Sequence, residues 1–423
     1  MKSKLSPNQL SILYFTIIVI LFAIFLASCK KTENKPSYKT GGKNLTLADY
    51  QQQQILADNS FTLKLFKNLD AANQNTTNLF VSPLSASFAL GMTSNGANGT
   101  TFDAFKRVLN FNNLSREQIN TYYNNLITNL PQLDPNTTLD IANSIWFRKE
   151  FSVLPSFLQT DSIYFHATVS ALDFNNPTSI NIINNWVSSK TGGNIPTILN
   201  TINNNDLMFL INTIYFKSVW KEKFNSADTK PMAFYLNGGN EVQTDFMSAN
   251  IDYNYTNDNG NQIYELPYSN SKFSMVIAMP PNGISVKEMV SNLDSSKWQS
   301  WMSGLHATKN QLLLPKFKFS FNTGLKNSLT DLGLGIAFSD GADFSLLNSS
   351  QPLTITDVKQ KAYIAIDESG TTAAAATSVS IGPTLVALNP PAIDHPFFFV
   401  IRDMNSGIIL FAGEVNNPTL SGE

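Results

Sequence analysis

The 423-residue chain has a single cysteine, Cys29, and three histidines, His166, His306 and His395. One cysteine excludes an internal disulfide, so stability has to come from a buried core. No G-x-S-x-G elbow, H-E-x-x-H helix, C-x-x-C pair or P-loop occurs, which leaves no conventional catalytic or metal centre. Charge is also scarce. Only 14% of the residues are charged, and 29 basic against 31 acidic residues leave a net charge of −2. That balance lacks the basic footprint of a nucleic-acid binder, so no nucleic-acid partner is expected. Scattered Asp and Glu can still pair in a cleft, yet an enzyme is the weaker hypothesis. The expectation is a chain that is not an enzyme and uses no cofactor and no metal. Asn257–Asn261 has a calcium-loop composition, but Glu265 stands one residue short of the position an EF-hand loop requires, so a hairpin turn is the better reading. His395, next to Pro396 at the start of an apolar strand, reads as structural.

What the chain has is 43% hydrophobic and 11% aromatic content, a globular composition. Its N-terminus carries Lys2 and Lys4, then an apolar run from Ile12 to Ala27. That run is shorter than the roughly 20 residues of a membrane span and suits the core of a secretion signal. Ala27 and Ser28 directly before Cys29 match the lipobox of bacterial lipoproteins, in which the cysteine is lipidated and the preceding peptide removed. The expected organisation is therefore a signal peptide over 1–28, a flexible polar tether over 29–44, one domain over 45–418 and a short tail over 419–423. The mature protein is expected at a membrane, on the periplasmic side or the cell surface.

Along the domain, Leu47, Tyr50, Leu56, Phe61, Leu65, Phe66 and Leu69 recur at helical spacing, with Asn44 or Thr46 as the candidate cap. Leu79–Val81 reads as a short strand leading into a helix at Pro83. The runs 139–147 and 207–216 read as strands buried on both faces, and 273–279, 311–319, 362–366, 397–401 and 408–413 as further strands. Helices dominate early and strands late, which is an α+β order.

Residues 369–393 contain no charged side chain. On strand alternation Thr371, Ala373, Ala375, Thr377, Val379 and Ile381 share one face, with Thr372, Ala374, Ala376, Ser378, Ser380 and Gly382 on the other. Small uncharged residues suit a strand entering a crowded sheet. Gly382-Pro383 and Asn389-Pro390-Pro391 suit an exposed loop instead. By composition alone, a small-residue loop that never pairs remains the simpler reading.

Glu368-Ser369-Gly370-Thr371-Thr372-Ala373-Ala374-Ala375-Ala376-Thr377 closely resembles the hinge of inhibitory serpins. Asn78-Leu79-Phe80-Val81-Ser82-Pro83-Leu84-Ser85, Asn212-Thr213-Ile214-Tyr215-Phe216 through Trp220, Phe338–Ser345, His395–Phe399 and Phe411–Val415 are similar to further segments of that family, in the family's order. The resemblance covers about residues 45–418 and implies three β-sheets, about nine helices and an exposed reactive loop. It implies a suicide-substrate inhibitor of serine proteases, with cysteine proteases reachable by the same acyl chemistry. The alternative is a non-inhibitory serpin-fold protein used for binding or as a chaperone. Carried over residue by residue, Glu368, Gly370, Thr371, Ala373, Ala374, Ala375, Ala376 and Thr377 form the hinge. Ser82, Ser85, Asn212 and Gln360 form the shutter under the opening sheet, and Trp220, Lys316 and Glu368 the breach where insertion begins. Gln360 departs from the histidine common at that place, and Thr372 from a common Glu. Counting on from Glu368 puts the reactive bond at Thr384-Leu385, whereas counting back from Pro396 gives Leu385-Val386; the first is preferred. Elastase-like or chymotrypsin-like proteases are the expected partners, and trypsin-like ones are disfavoured for want of a basic residue. A monomer is expected.

Overall fold

The computed structural model describes residues 38–73, 77–111, 113–371 and 390–422. The first helix, α1 (Asp49–Ala72), buries Ile55, Phe61, Leu65, Phe66 and Leu69 along one stripe. Its cap differs from expectation. Ala48 is the N-cap, and the Gln51 side chain reaches back to accept the Ala48 N–H at 3.1 Å, half of a capping box made without a capping hydroxyl. Asn44 accepts from Lys272 instead, and the Thr46 carbonyl accepts from Asn125. After β1 (Leu79–Val81), Pro83 opens α2 (Pro83–Gly96), where its missing N–H costs no helical bond. α2 is buried on almost every side and packs on two sheets, so it lacks an amphipathic pattern.

The chain then adds α3 (Gly99–Val108), α4 (Arg116–Asn129), β2 (Thr138–Arg148), α5 (Pro155–Phe165), β3 (Thr168–Leu172), α6 (Thr178–Lys190) and β4 (Met208–Val219). A Cβ on Gly91 of α2 would stand 2.4 Å from the Tyr123 ring, so glycine is what lets α4 approach. Next come β5 (Lys230–Tyr235), β6 (Glu241–Asp258), β7 (Asn261–Pro267), β8 (Phe273–Met279), α7 (Val286–Ser291) and α8 (Ser295–Gly304). The last elements are β9 (His306–Pro315), β10 (Phe317–Gly324), α9 (Lys326–Leu329), β11 (Lys359–Asp367), β12 (Gly370–Thr371), β13 (Phe397–Asp403) and β14 (Ile409–Val415). The fold is α+β, with nine α-helices among the described residues.

One sheet has the order β10-β11-β12-β4-β2-β3, and a second network of eight strands runs β1-β14-β13-β8-β7-β6-β5 with β9 paired to β6. The third sheet is continuous with the second because β6 is long. Along one edge β6 pairs first with β5 and then with β7, while β9 occupies its other edge. Phe80 of β1 stacks against Phe399 and Phe411 in the core between the sheets.

Two strand expectations need correction. The run 311–319 is not one strand: Pro315 ends β9, and across Lys316 the chain passes to β10 in the other sheet. Proline has no N–H to continue a ladder, and the Lys316 N–H is used on the Asp245 carbonyl. Nor are β2 and β4 equally buried on both faces. Ile145, Ile214 and Phe216 face the main core, while Trp146 and Ile211 face a smaller cluster under α6 with Ile183 and Val187, which leaves much of that face half-buried. The 257–261 segment forms the expected hairpin. Asp258 pairs with Asn261 across Asn259 and Gly260, both at positive φ, as a two-residue primed turn requires. The Asp258 carboxylate is held by Lys297 and Trp301.

Asp58 on α1 is wholly buried and accepts from the hydroxyls of Tyr122 and Ser87. Burial pushes its carboxyl up to about 7, and hydrogen bonds from Tyr122, Ser87 and Gln54 offset only part of the shift. The unfolded chain would ionise this group near its ordinary value. Its contribution to stability is therefore full below pH 4 and declines as pH rises towards 7, by up to about 4 kcal/mol. Asp58→Asn should remove that decline. Urea unfolding at pH 4.5, 6 and 8 should show the variant gaining on the wild type as pH rises, and a constant difference would remove Asp58 as the source.

Candidate functional site

At the end of β11 the Asp367 carboxylate accepts the N–H groups of Ser369 and Gly370, at 2.8 and 3.2 Å, and so closes a tight turn into β12. Gly370 pairs with Val219 and Asp367, and Thr371 with Ser218 and Ile366, so these two residues form a short strand between β4 and β11. Gly370 has φ +154°, and a Cβ there would lie 2.0 Å from the Ser218 carbonyl oxygen. Only glycine fits so close to the neighbouring backbone. Thr371 is 2% exposed, and its hydroxyl is hydrogen-bonded to that of Tyr268. Tyr268 stacks on Trp220 at 4.7 Å, and burial pushes its phenol well above the ordinary range, which keeps the hydroxyl protonated.

Trp220 closes the top of the site. Its indole N–H donates to the Asp367 carbonyl and its backbone N–H to the Ser369 carbonyl, both at 2.9 Å. The Glu368 carbonyl accepts from Phe224 N–H. The Glu368 carboxylate receives Lys316 Nζ at 3.0 Å and the Thr229 hydroxyl at 2.7 Å. Burial opposes ionisation there, yet Thr229 and Lys316 outweigh it and hold the group below its ordinary value. The pair is partly exposed, so it fixes direction more than it adds energy.

Directly beneath Thr371 lies a cavity walled by Ile214 and Phe216 of β4 and by Tyr363 and Ile364 of β11, with Phe80 and Phe411 beneath them. Among the described residues no ladder joins β4 to β11 there; β12 alone links them. Ser82 and Gln360 bond to each other: the Ser82 N–H donates to Gln360 Oε1 at 2.9 Å, and Gln360 Nε2 donates to the Ser82 carbonyl at 2.7 Å. Ser82 also caps α2 and donates to the Leu410 carbonyl. The Ser85 hydroxyl reaches the Asn212 carbonyl, at 3.5 Å. The Asn212 amide turns away to Asn143, at 2.6 Å. The Ser85 N–H also donates to Ser82 Oγ, at 3.2 Å, so one chain of hydrogen bonds runs from Gln360 through Ser82 and Ser85 to Asn212. His395 is clamped between Asp394 and the Pro280 carbonyl.

Glu368, Gly370, Thr371, Trp220 and Lys316 are therefore together at one end of the gap. Ala373, Ala374, Ala375, Ala376, Thr377, Thr384, Leu385 and Cys29 lie outside the described residues. Tyr268, Thr229 and Asn143 belong to the site and were not found by sequence reasoning. Tyr268 meets Thr371 across 103 residues of chain, and nothing in its local pattern announces that contact. Asp367 was missed as well, although Asp-x-x-Gly over 367–370 is a turn signal.

The family pattern described as Serpin (serine protease inhibitor) matches residues 56–418, and the chain belongs to the serpin family. It is 32% identical to the leukocyte elastase inhibitor of Xenopus laevis over 370 residues, 85% of this chain and 97% of that one. Its fold is similar to the native state of tengpin, a thermophilic serpin, at a TM-score of 0.79 and 32% identity, covering 89% of this chain and 96% of that one. Thyroxine-binding globulin in complex with thyroxine is similar at a TM-score of 0.79 and 26% identity, covering 87% and 100%. The exclusion of enzymatic activity drawn from missing motifs is corrected here. The matches establish kinship with protease inhibitors, and kinship demonstrates no absence of catalysis in this chain.

Gly370→Ala should expel β12 from the sheet. Hydrogen exchange at 218–219 and 366–371, slow in the wild type, should become fast, at a local cost of about 2 kcal/mol or more. Unchanged protection would show that the close approach to Ser218 is not needed.

Proposed function

We propose that this serpin is a suicide-substrate inhibitor of serine proteases, with cysteine proteases reachable by the same chemistry. The observation that carries the reading is the cavity that continues the line of β12 between β4 and β11. Two strand edges face each other across it, and a strand placed there would pair with both. The residues that follow Thr371 in the chain are small and uncharged, as a dry, close-packed slot demands. In this reading a protease attacks the loop at Thr384-Leu385 and is held as an acyl-enzyme. The freed segment enters the gap from Thr371 downward and carries the protease with it, as reactive-loop insertion in serpins does. Elastase-like and chymotrypsin-like enzymes fit the loop best; the named relative from Xenopus laevis is an elastase inhibitor. We further propose a monomeric bacterial lipoprotein, anchored through Cys29 on the periplasmic side or the cell surface. A binding role is the second reading, supported by the similarity to thyroxine-binding globulin.

Incubation with elastase, chymotrypsin and trypsin, followed by a denaturing gel, separates the two. An inhibitor gives a covalent band of summed mass with the first two, and a binder gives none with any. Thr371→Arg should abolish most of that band while cleavage continues at the same bond. A cationic side chain in the Thr371 position would cost about 3 kcal/mol or more, roughly a hundredfold in the insertion rate. Thr372→Arg, on the opposite face, should be milder. Equal inhibition by Thr371→Arg and the wild type would sink the insertion mechanism. Cys29→Ala should release a soluble protein that still inhibits, and fractionation of cells followed by the same gel assay checks it.

A further inference from the structure

The last turn of α1 carries Asp70, which is 2% exposed, and β14 carries Glu414, which is fully buried. Their carboxyls lie within hydrogen-bonding reach of each other. Among the described residues no well-formed hydrogen bond from a donor reaches Asp70 Oδ1 or either carboxyl oxygen of Glu414. Asn416, two places further on, commits its amide to the Thr77 carbonyl at 3.0 Å. Two ionised carboxylates cannot share so dry a site, because each would be an uncompensated buried charge and the like charges would repel. One proton held between them removes both difficulties. A protonated carboxyl donates a hydrogen bond and a carboxylate accepts it.

The elements packed around the pair supply little to replace that proton. Besides each other, the charge that acts on both carboxyls is Lys287 of α7. Its ammonium is spent on the carbonyls of Ala71 and Asn73, at 3.0 and 2.9 Å, where it caps the end of α1. Neither α2 nor β1 contains a charged residue, and Leu79 of β1 and Phe398 of β13 stand opposite Glu414. At the far end of β13, Arg402 is taken by Glu265, and Asp403 accepts from the turn at Asn405 and Ser406. The other buried acid of α1, Asp58, is taken up by Tyr122 and Ser87. Burial, then the charge of Asp70, push Glu414 up to about 9, and burial raises Asp70 as well, although the bond from Glu414 counters part of that rise. At neutral pH Glu414 is the donor and Asp70 the acceptor.

We propose that Asp70 and Glu414 form a one-proton latch that holds the last turn of α1 on β14, and that loss of the proton in alkaline solution frees that turn. An unfolded chain ionises Glu414 near 4.5, whereas the folded one keeps the proton to about 9. The stabilisation is therefore complete below pH 4.5 and is lost as pH rises towards 9. The latch is independent of the inhibitory reading. Urea unfolding of the full-length wild type, Glu414→Gln and Asp70→Asn from pH 7 to 10 tests it, together with hydrogen exchange at 66–73 and 411–415, corrected for the intrinsic rate. Between pH 7 and 9 the unfolding constant of the wild type should rise roughly tenfold per pH unit relative to Glu414→Gln, whose amide donates to Asp70 at every pH. Asp58 titrates alike in both proteins and drops out of the comparison. At pH 10 the wild type's protection over the two segments should fall about tenfold below its value at pH 7. Asp70→Asn, whose amide donates to an ionised Glu414, should escape the fall. Equal pH dependence in all three proteins would overturn the latch. So would stabilisation of the wild type, and not of Glu414→Gln, by millimolar calcium or magnesium, which would make the pair a cation site.

Discussion

Gly370 and Thr371 are the whole of the described chain that ties β11 to β4, and the rest of the site is arranged around that short bridge. Glycine admits the turn against Ser218, and the turn delivers Thr371 to Tyr268. Tyr268 stacks on Trp220, and Trp220 returns two hydrogen bonds to Asp367 and Ser369 on either side of the turn. The circle is closed, so a change at any member is felt at the bridge. Below it, two strand edges stand beside a cavity. An edge unpaired among the described residues is a binding site for a strand. Among the described residues the fold therefore combines a satisfied top with a cavity beneath it.

The strands read from sequence were those carrying an apolar run, and β8, β13 and β14 are buried at almost every residue, whereas β3, β5, β6 and β7, which are short or mix polar with apolar residues, were not read as strands. The helix at Pro83 was legible from its punctuation. What escaped was set by partners far away in the chain. The change of sheet at Lys316 depends on the Asp245 carbonyl and on Glu368, which local pattern does not encode. The cap of α1 fell to Gln51 because the segment carrying Asn44 is drawn off to Lys272. The half-covered outer face of β4 escaped for a similar reason, since α6 shields only part of it. At the site, the small residues of the hinge were readable as chemistry fit for a crowded sheet. Tyr268 was not, because an aromatic after a strand-ending proline has many possible neighbours and sequence does not choose among them.

Gln360 joins β11 to the start of α2 through Ser82. Its amide satisfies the Ser82 backbone in both directions, donor to acceptor and acceptor to donor, within hydrogen-bond distance. A histidine, common at this place in the resembling family, offers the same two functions only in one tautomer and gains a charge when protonated. An amide does neither, so this junction between α2 and β11 holds its geometry at every pH where the protein folds. Titrating groups lie at the upper end of the gap, where burial raises Asp367 and where Thr229 and Lys316, against burial, hold Glu368 below its ordinary value, and also in the helical body. Asp58 is raised to about 7 among α1, α2 and α4, and burial, then Asp70, raises Glu414 of β14 to about 9. Both sit on elements that pack around α2, and β14 also brings Phe411 to the cavity. The pH response of this chain is consequently divided between the helical body with its contact to the second sheet and the upper end of the gap, where the Lys316–Glu368 pair lies.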